Sequence, residues 1–130
     1  MKILVGYDGS NSARDALRLA LKHAKAFGAG VDVVTSMMKG SEAQREEIKN
    51  AEGGLEYAEG LFKEHGIECD THLLIRGLSA GEDIVLFAEE KKADEIVMGV
   101  KRRSKVSKIL MGSTAQYVIL KAPCPVVTVK

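Results

Sequence analysis

Apolar positions along this chain alternate between two periods. Lys2 to Tyr7 (KILVGY) is a short unbroken apolar run, the pattern of a strand covered on both faces. Ser12, with Asp15 three residues on, predicts a helix start. Ala13, Ala16, Leu17, Ala20, Ala24 and Phe27 then recur at helical spacing until Gly28 stops them. Val31 to Met37 predicts a second strand. Glu42 to His65 predicts a long amphipathic helix with Ile48, Ala51, Leu55, Ala58 and Phe62 on one stripe. Gly53-Gly54 inside it costs about 1 kcal/mol per glycine relative to alanine, which predicts a bend or break there. Cys69 to Ile75 follows as a third strand, and Arg76-Gly77 turns the chain. Ser79 to Glu82 has the spacing of a capping box, opening a helix whose core side is Ile84, Val85 and Ala88. Glu95 to Gly99 is a fourth strand, Ser113 to Lys121 a last helix, and Val126 to Val129 a fifth strand.

Strands that alternate with helices and read as continuously apolar belong to a parallel sheet. The expected fold is a single α/β domain over residues 1–130, with a doubly wound five-stranded parallel sheet and helices on both faces. In such sheets ligands bind at the carboxyl ends of the strands, where the winding reverses. The residues leaving strands one and four are Asp8-Gly9-Ser10 and Gly99 onward.

Composition narrows the function. Aromatic residues make up 5% of the chain and Trp is absent, so a stacking platform for single-stranded nucleic acid is poorly supplied. No apolar run approaches the roughly 20 residues of a membrane span, and Met1-Lys2 passes straight into a strand without a signal-peptide core. Cys69 and Cys124 stand far apart in no metal or redox spacing, which fits reduced thiols and a cytoplasmic protein. Charge is more informative. From Ile96 to Lys130 there is no Asp or Glu against seven basic residues, whereas the first 95 residues carry 12 basic against 18 acidic. Clustered positive charge of this kind is either a solvated loop or a surface that faces an anion.

The candidate chemistry concentrates in Gly99 to Thr114 (GVKRRSKVSKILMGST). A glycine ends a strand, a basic loop crosses, and Gly112-Ser113-Thr114 opens a helix. Free N–H groups at a helix start, with two hydroxyls, make an anion site. Glycine at 99 and 112 lets backbone approach phosphate oxygens closely. The alternative needs no ligand, since Ser113 with Gln116 is itself a capping-box spacing. His23, His65 and His72 are scattered over three elements, with surface placement the default, and no pair of carboxylates stands out as acid and base.

With Gly99, Gly112 and Ser113 in register, this stretch resembles the nucleotide signature of universal stress proteins: glycine, two residues, glycine, nine residues, then glycine with serine or threonine. The VGYDGS opening, the strand end Met98-Gly99 and the APCPVVTV ending resemble that family as well, so the likeness spans the chain. It implies the adenine nucleotide alpha hydrolase-like fold and binding of ATP or AMP. Asp8 then contacts the adenosine, the backbone near Ser36 meets the adenine edge, and Met98 and Gly99 lie against adenine and ribose. Gly112, Ser113 and Thr114 hold phosphates.

The sequence departs from the signature at Arg102, which stands where the second glycine belongs. It either clamps a phosphate or occupies the phosphate seat. If the position needs a left-handed backbone, a side chain costs about 1–2 kcal/mol, and a charge-assisted hydrogen bond returns about 1.5–3 kcal/mol. Mg²⁺ is the ion a triphosphate would bring, yet the basic loop supplies no carboxylate for it and Asp8 is the obvious one nearby. Three readings follow: a nucleotide-binding module, a slow ATP hydrolase, or a nucleotide-free dimer. In the expected sheet Val126 to Val129 is an apolar edge, and an unpaired edge tends to find a partner, which predicts a homodimer through that strand.

Overall fold

The computed structural model describes residues 1–38, 44–100 and 112–130. Nine elements alternate along the chain: β1 (Lys2–Gly6), α1 (Asn11–Phe27), β2 (Gly30–Ser36), α2 (Arg45–Glu64), β3 (Cys69–Leu74), α3 (Ala80–Lys91), β4 (Glu95–Gly99), α4 (Ser113–Lys121) and β5 (Val126–Val129). The five strands form one parallel sheet in the order β3-β2-β1-β4-β5. The chain winds outward from β1 to β3, then crosses back to β4 on the other side of β1. The winding therefore reverses between β1 and β4, which is where a doubly wound sheet opens a crevice.

Side chains alternate across the sheet and split the core in two. Ile3 and Val5 of β1 face α1 and α2 with Val31, Val33, Leu55, Phe62 and Val97. Leu4 faces α3 and α4 with Val34, Ile84, Phe87, Ile96 and Val118. Both faces are covered, which is why the strands read as unbroken apolar runs rather than as alternating ones. The expected fold class is the observed one.

Three expectations change. Helix α1 is capped by Ser10, not Ser12: Ser10 Oγ accepts from Ala13 N at 3.2 Å, and the first turn holds no acid. Asp15 instead pairs with Arg18 at 3.0 Å. Helix α2 runs through Gly53-Gly54 without a break. A Cβ at Gly54 would come within 3.0 Å of the Tyr7 ring, so this glycine admits an aromatic side chain rather than a bend. His23 and His72 are not free on the surface. His23 Nδ1 lies 2.7 Å from Glu95 Oε1, and His72 Nε2 lies 3.0 Å from the buried Asp32. The start foreseen for α2 at Glu42 lies outside the described residues.

Both thiols are half-buried. Burial, helped by the nearby Glu59, Asp70 and Asp32 charges, pushes Cys69 up to about 12. Burial also raises Cys124, where Asp94 and Glu95 add to the effect. Neither side chain is therefore a thiolate nucleophile at neutral pH.

Candidate functional site

The crevice at the winding reversal is a cleft of about 260 Å³ between the carboxyl ends of β1, β2 and β4 and the starts of α3 and α4. Its size is just under the range of roughly 300–1,000 Å³ usual for small-molecule sites. Asp8, Ser36, Met98, Gly99, Gly112, Ser113 and Thr114 all line it, together with Tyr7, Thr35, Ala80 and Ile84. Seven of the eight residues singled out from sequence thus share one cavity, though they come from four separate stretches of chain. Arg102 lies outside the described residues, as does the rest of the basic segment from 101 to 111. A second chamber of about 330 Å³ adjoins the cleft through Tyr7, Asp8, Thr35 and Ser36 and reaches Glu47 and Asn50 of α2.

Each wall has a local reason for its shape. Asp8 Oδ1 accepts the Ser10 N–H at 2.9 Å across Gly9, whose φ of +83° a side chain rarely adopts. This turn carries the chain from β1 into α1 and leaves Asp8 at the mouth. Gly99 ends β4 against the first turn of α1. A Cβ there would stand 2.4 Å from the Ser12 carbonyl carbon and 2.6 Å from its oxygen, so only glycine fits. Gly99 thus lets two backbones of the protein pass closely.

Gly112 differs. Among the described residues nothing lies within 4 Å of where its Cβ would be, and its φ of −66° suits any residue. It is the N-cap of α4 and contributes no side-chain bond, so the capping box that Ser113 and Gln116 could have formed is absent. Ser113 and Thr114 stand just inside the helix, on the cleft. Among the described residues no side chain caps this N-terminus, and such a start, beside two hydroxyls, can offer donors and the positive end of the helix dipole to an anion.

The opposite wall is polar for reasons the sequence analysis missed. Ser36 Oγ donates to Asp83 Oδ2 at 2.8 Å, and Asp83 is fully buried. Arg76 Nε reaches Asp83 Oδ1 at 2.6 Å, and Arg76 Nη1 reaches Glu90 at 2.7 Å. The Glu90 and Asp83 bonds hold the Arg76 guanidinium above its ordinary range. A signal existed in the sequence: Asp83 falls on the apolar face of α3, next to Ile84. Its partners lie on other elements, so spacing alone could not name them. Among the described residues there is no cluster of three or more His, Cys, Asp or Glu able to hold a metal ion, and no helix long and apolar enough to cross a membrane.

Comparison with known proteins adds an independent finding. The family model described as "Universal stress protein family" matches residues 1–130. A universal stress protein of Methanocaldococcus jannaschii is 36% identical over 99% of this chain and 81% of its own length. One from Thermus aquaticus is 36% identical over 98% of this chain and 97% of its own length. Among solved structures, the universal stress protein from Archaeoglobus fulgidus in complex with dAMP superposes with a TM-score of 0.85. It is 37% identical, and the match covers 100% of this chain and 98% of that one.

Proposed function

The chain belongs to the universal stress protein family, and from that premise we propose that it binds an adenine nucleotide in the cleft where the winding reverses. The base lies towards Ser36, Asp8 contacts the adenosine, and Met98 and Gly99 lie under base and ribose. The phosphate sits on Gly112, Ser113 and Thr114. The observation that carries this reading is the start of α4: a helix N-terminus that no side chain among the described residues caps, two hydroxyls in its first turn, and a cavity in front of it. The dAMP held by the Archaeoglobus fulgidus relative supports it. AMP or ATP is the ligand proposed, with Arg102 as a phosphate clamp. The protein acts as a binding module of the stress response, with no residue assigned to catalysis.

The test is direct. The protein is purified without added nucleotide, denatured, and its supernatant chromatographed; AMP is then titrated calorimetrically. Released or titratable adenine nucleotide is expected, with Ser113→Ala weakening AMP about tenfold, the worth of one hydrogen bond. No release, and no heat at millimolar AMP, would sink the proposal.

A homodimer through β5 is proposed alongside. β5 is an edge strand, and Val126, Val127 and Val129 are half-buried. Pro125 O accepts from Ile96 N of β4 and Val129 O from Val100 N just after it, so by the parallel alternation Val126 and Thr128 turn their N–H groups outward. Thr128→Pro removes one outward donor without touching the ladder to β4. It is expected to give a monomer in sedimentation equilibrium, and an unchanged dimer would place the interface elsewhere.

A further inference from the structure

The end of β2 carries two hydroxyls whose protons are already committed inside the protein. Thr35 Oγ1 donates to the Tyr7 carbonyl at 2.7 Å, and Ser36 Oγ donates to Asp83 Oδ2 at 2.8 Å. Asp83 is fully buried, and the Arg76 guanidinium holds its other oxygen at 2.6 Å and reaches its carbonyl at 3.3 Å. A carboxylate paired in this way only accepts, so the Ser36 proton has one destination. What Ser36 has left for the cleft is lone pairs. The neighbouring backbone donors are also used: Tyr7 N bonds Val34 O, and Met37 N bonds Leu74 O, both at 2.9 Å. The cleft is thus polarised, with acceptors on the β2 wall and donors at the start of α4.

We infer that the buried Arg76–Asp83 pair locks Ser36 as an acceptor towards the bound base, making Ser36 a specificity determinant for 6-aminopurines over 6-oxopurines and Asp83 a positioning residue. This rests on the cleft being a nucleotide site. An exocyclic amine can donate to Ser36 Oγ. A 6-oxo group at the same place sets lone pair against lone pair, and a polar group left unpaired in a closed site is what rejects a wrong ligand. Ordinary serine would not discriminate, because its hydroxyl rotates to suit either partner. Here the rotation is spent.

Calorimetric titration with AMP and with IMP, which differ at the 6-position and N1, tests the inference. The wild-type chain is expected to bind AMP about tenfold more tightly than IMP or better. Ser36→Ala brings the ratio towards one by losing AMP affinity while IMP changes little. Ser36→Thr keeps a hydroxyl and restores the ratio. Asp83→Asn supplies an amide donor that frees the Ser36 proton for the cleft, and IMP gains; if this variant fails to fold, the two Ser36 variants decide. A Ser36→Ala protein that keeps the wild-type ratio, or loses both ligands equally, overturns the inference and leaves the base to be read by backbone. Equal wild-type affinity for AMP and IMP overturns it while the nucleotide site stands, and binding of neither overturns both.

Discussion

Helices α3 and α4 lie side by side on one face of the sheet, Gly81 of one against Tyr117 of the other, and both begin at the sheet's carboxyl edge. Their starts are built oppositely. At α3, Ser79 Oγ accepts the Glu82 N–H at 3.3 Å, and Glu82 reaches back to Ser79 N at 3.3 Å and Ser79 Oγ at 2.7 Å. At α4 the cap is Gly112, and the hydroxyls come one and two places later, on Ser113 and Thr114. Serine in the cap position turns its oxygen onto its own helix. Serine one residue further in does not sit where a cap does, and among the described residues no side chain caps α4. The same residue type thus closes one helix and opens the other. A cap of this kind is worth about 1 kcal/mol, and its absence at α4, with a cavity in front, is what the proposed phosphate site rests on.

The largest way to break this arrangement is to move the floor beneath it. Gly99→Ala places a methyl 2.4 Å from backbone of the first α1 turn, and backbone cannot swing aside as a side chain does. A loss of about 3 kcal/mol in urea unfolding is expected, with weaker nucleotide binding as α1 and β4 part. Among the described residues Gly112→Ala meets nothing within 4 Å, and as an N-cap change it should cost no more than about 1 kcal/mol. Equal stability of the two variants would mean that the Gly99–Ser12 contact does not hold the cleft.

The next effect is smaller and has opposite signs at the two helices. Ser79→Ala removes the α3 cap and should cost about 1 kcal/mol of stability while AMP affinity is unchanged. Gly112→Ser gives α4 the cap it lacks. It should stabilise by a few tenths of a kcal/mol and weaken AMP about tenfold, because the new side chain takes the N–H groups and the space of the phosphate. Thermal unfolding beside calorimetry reads both quantities. A Gly112→Ser protein that binds AMP as before would show that the start of α4 is not where the anion sits.

Much of this was legible along the chain, and what was not has a common physical cause. The β5 bounds and the α3 capping box are local patterns, and they stand as read. Asp8 to Ser12 offers several residues able to cap, so local pattern alone does not choose Ser10 over Ser12. Ser12 instead lies within the helix, and Ser10 Oγ takes the Ala13 N–H. Gly54 reads as a helix breaker until Tyr7 is placed against it. The Ser36–Asp83–Arg76 chain joins the end of β2, the turn after β3 and α3, and no period in the sequence brings those three together. Of the cleft, the signature residues Gly99, Gly112 and Ser113 were legible and line it; the polarity of the β2 wall came only from tertiary contacts.

Acid supplies the gentlest test, since it reaches one helix start and spares the other. The Ser79 hydroxyl bond first, and the Ser79 backbone bond after it, hold the Glu82 carboxyl below its ordinary 4.5. A carboxyl lowered by folding contributes stability that is complete above its unfolded value and disappears as pH falls through the folded one. The first turn of α4 holds no acid, so it has no corresponding loss. Urea unfolding of wild type and Glu82→Gln from about pH 6 to about pH 3 isolates the difference, with the wild-type advantage present at the upper end and gone at the lower. Glutamine keeps the hydrogen-bonding reach of glutamate without its charge, so a constant gap across that range would mean that the α3 cap holds through geometry alone. A gap that closes on acidification shows that the α3 start is held by its own charge, a device for which the first turn of α4 has no acid.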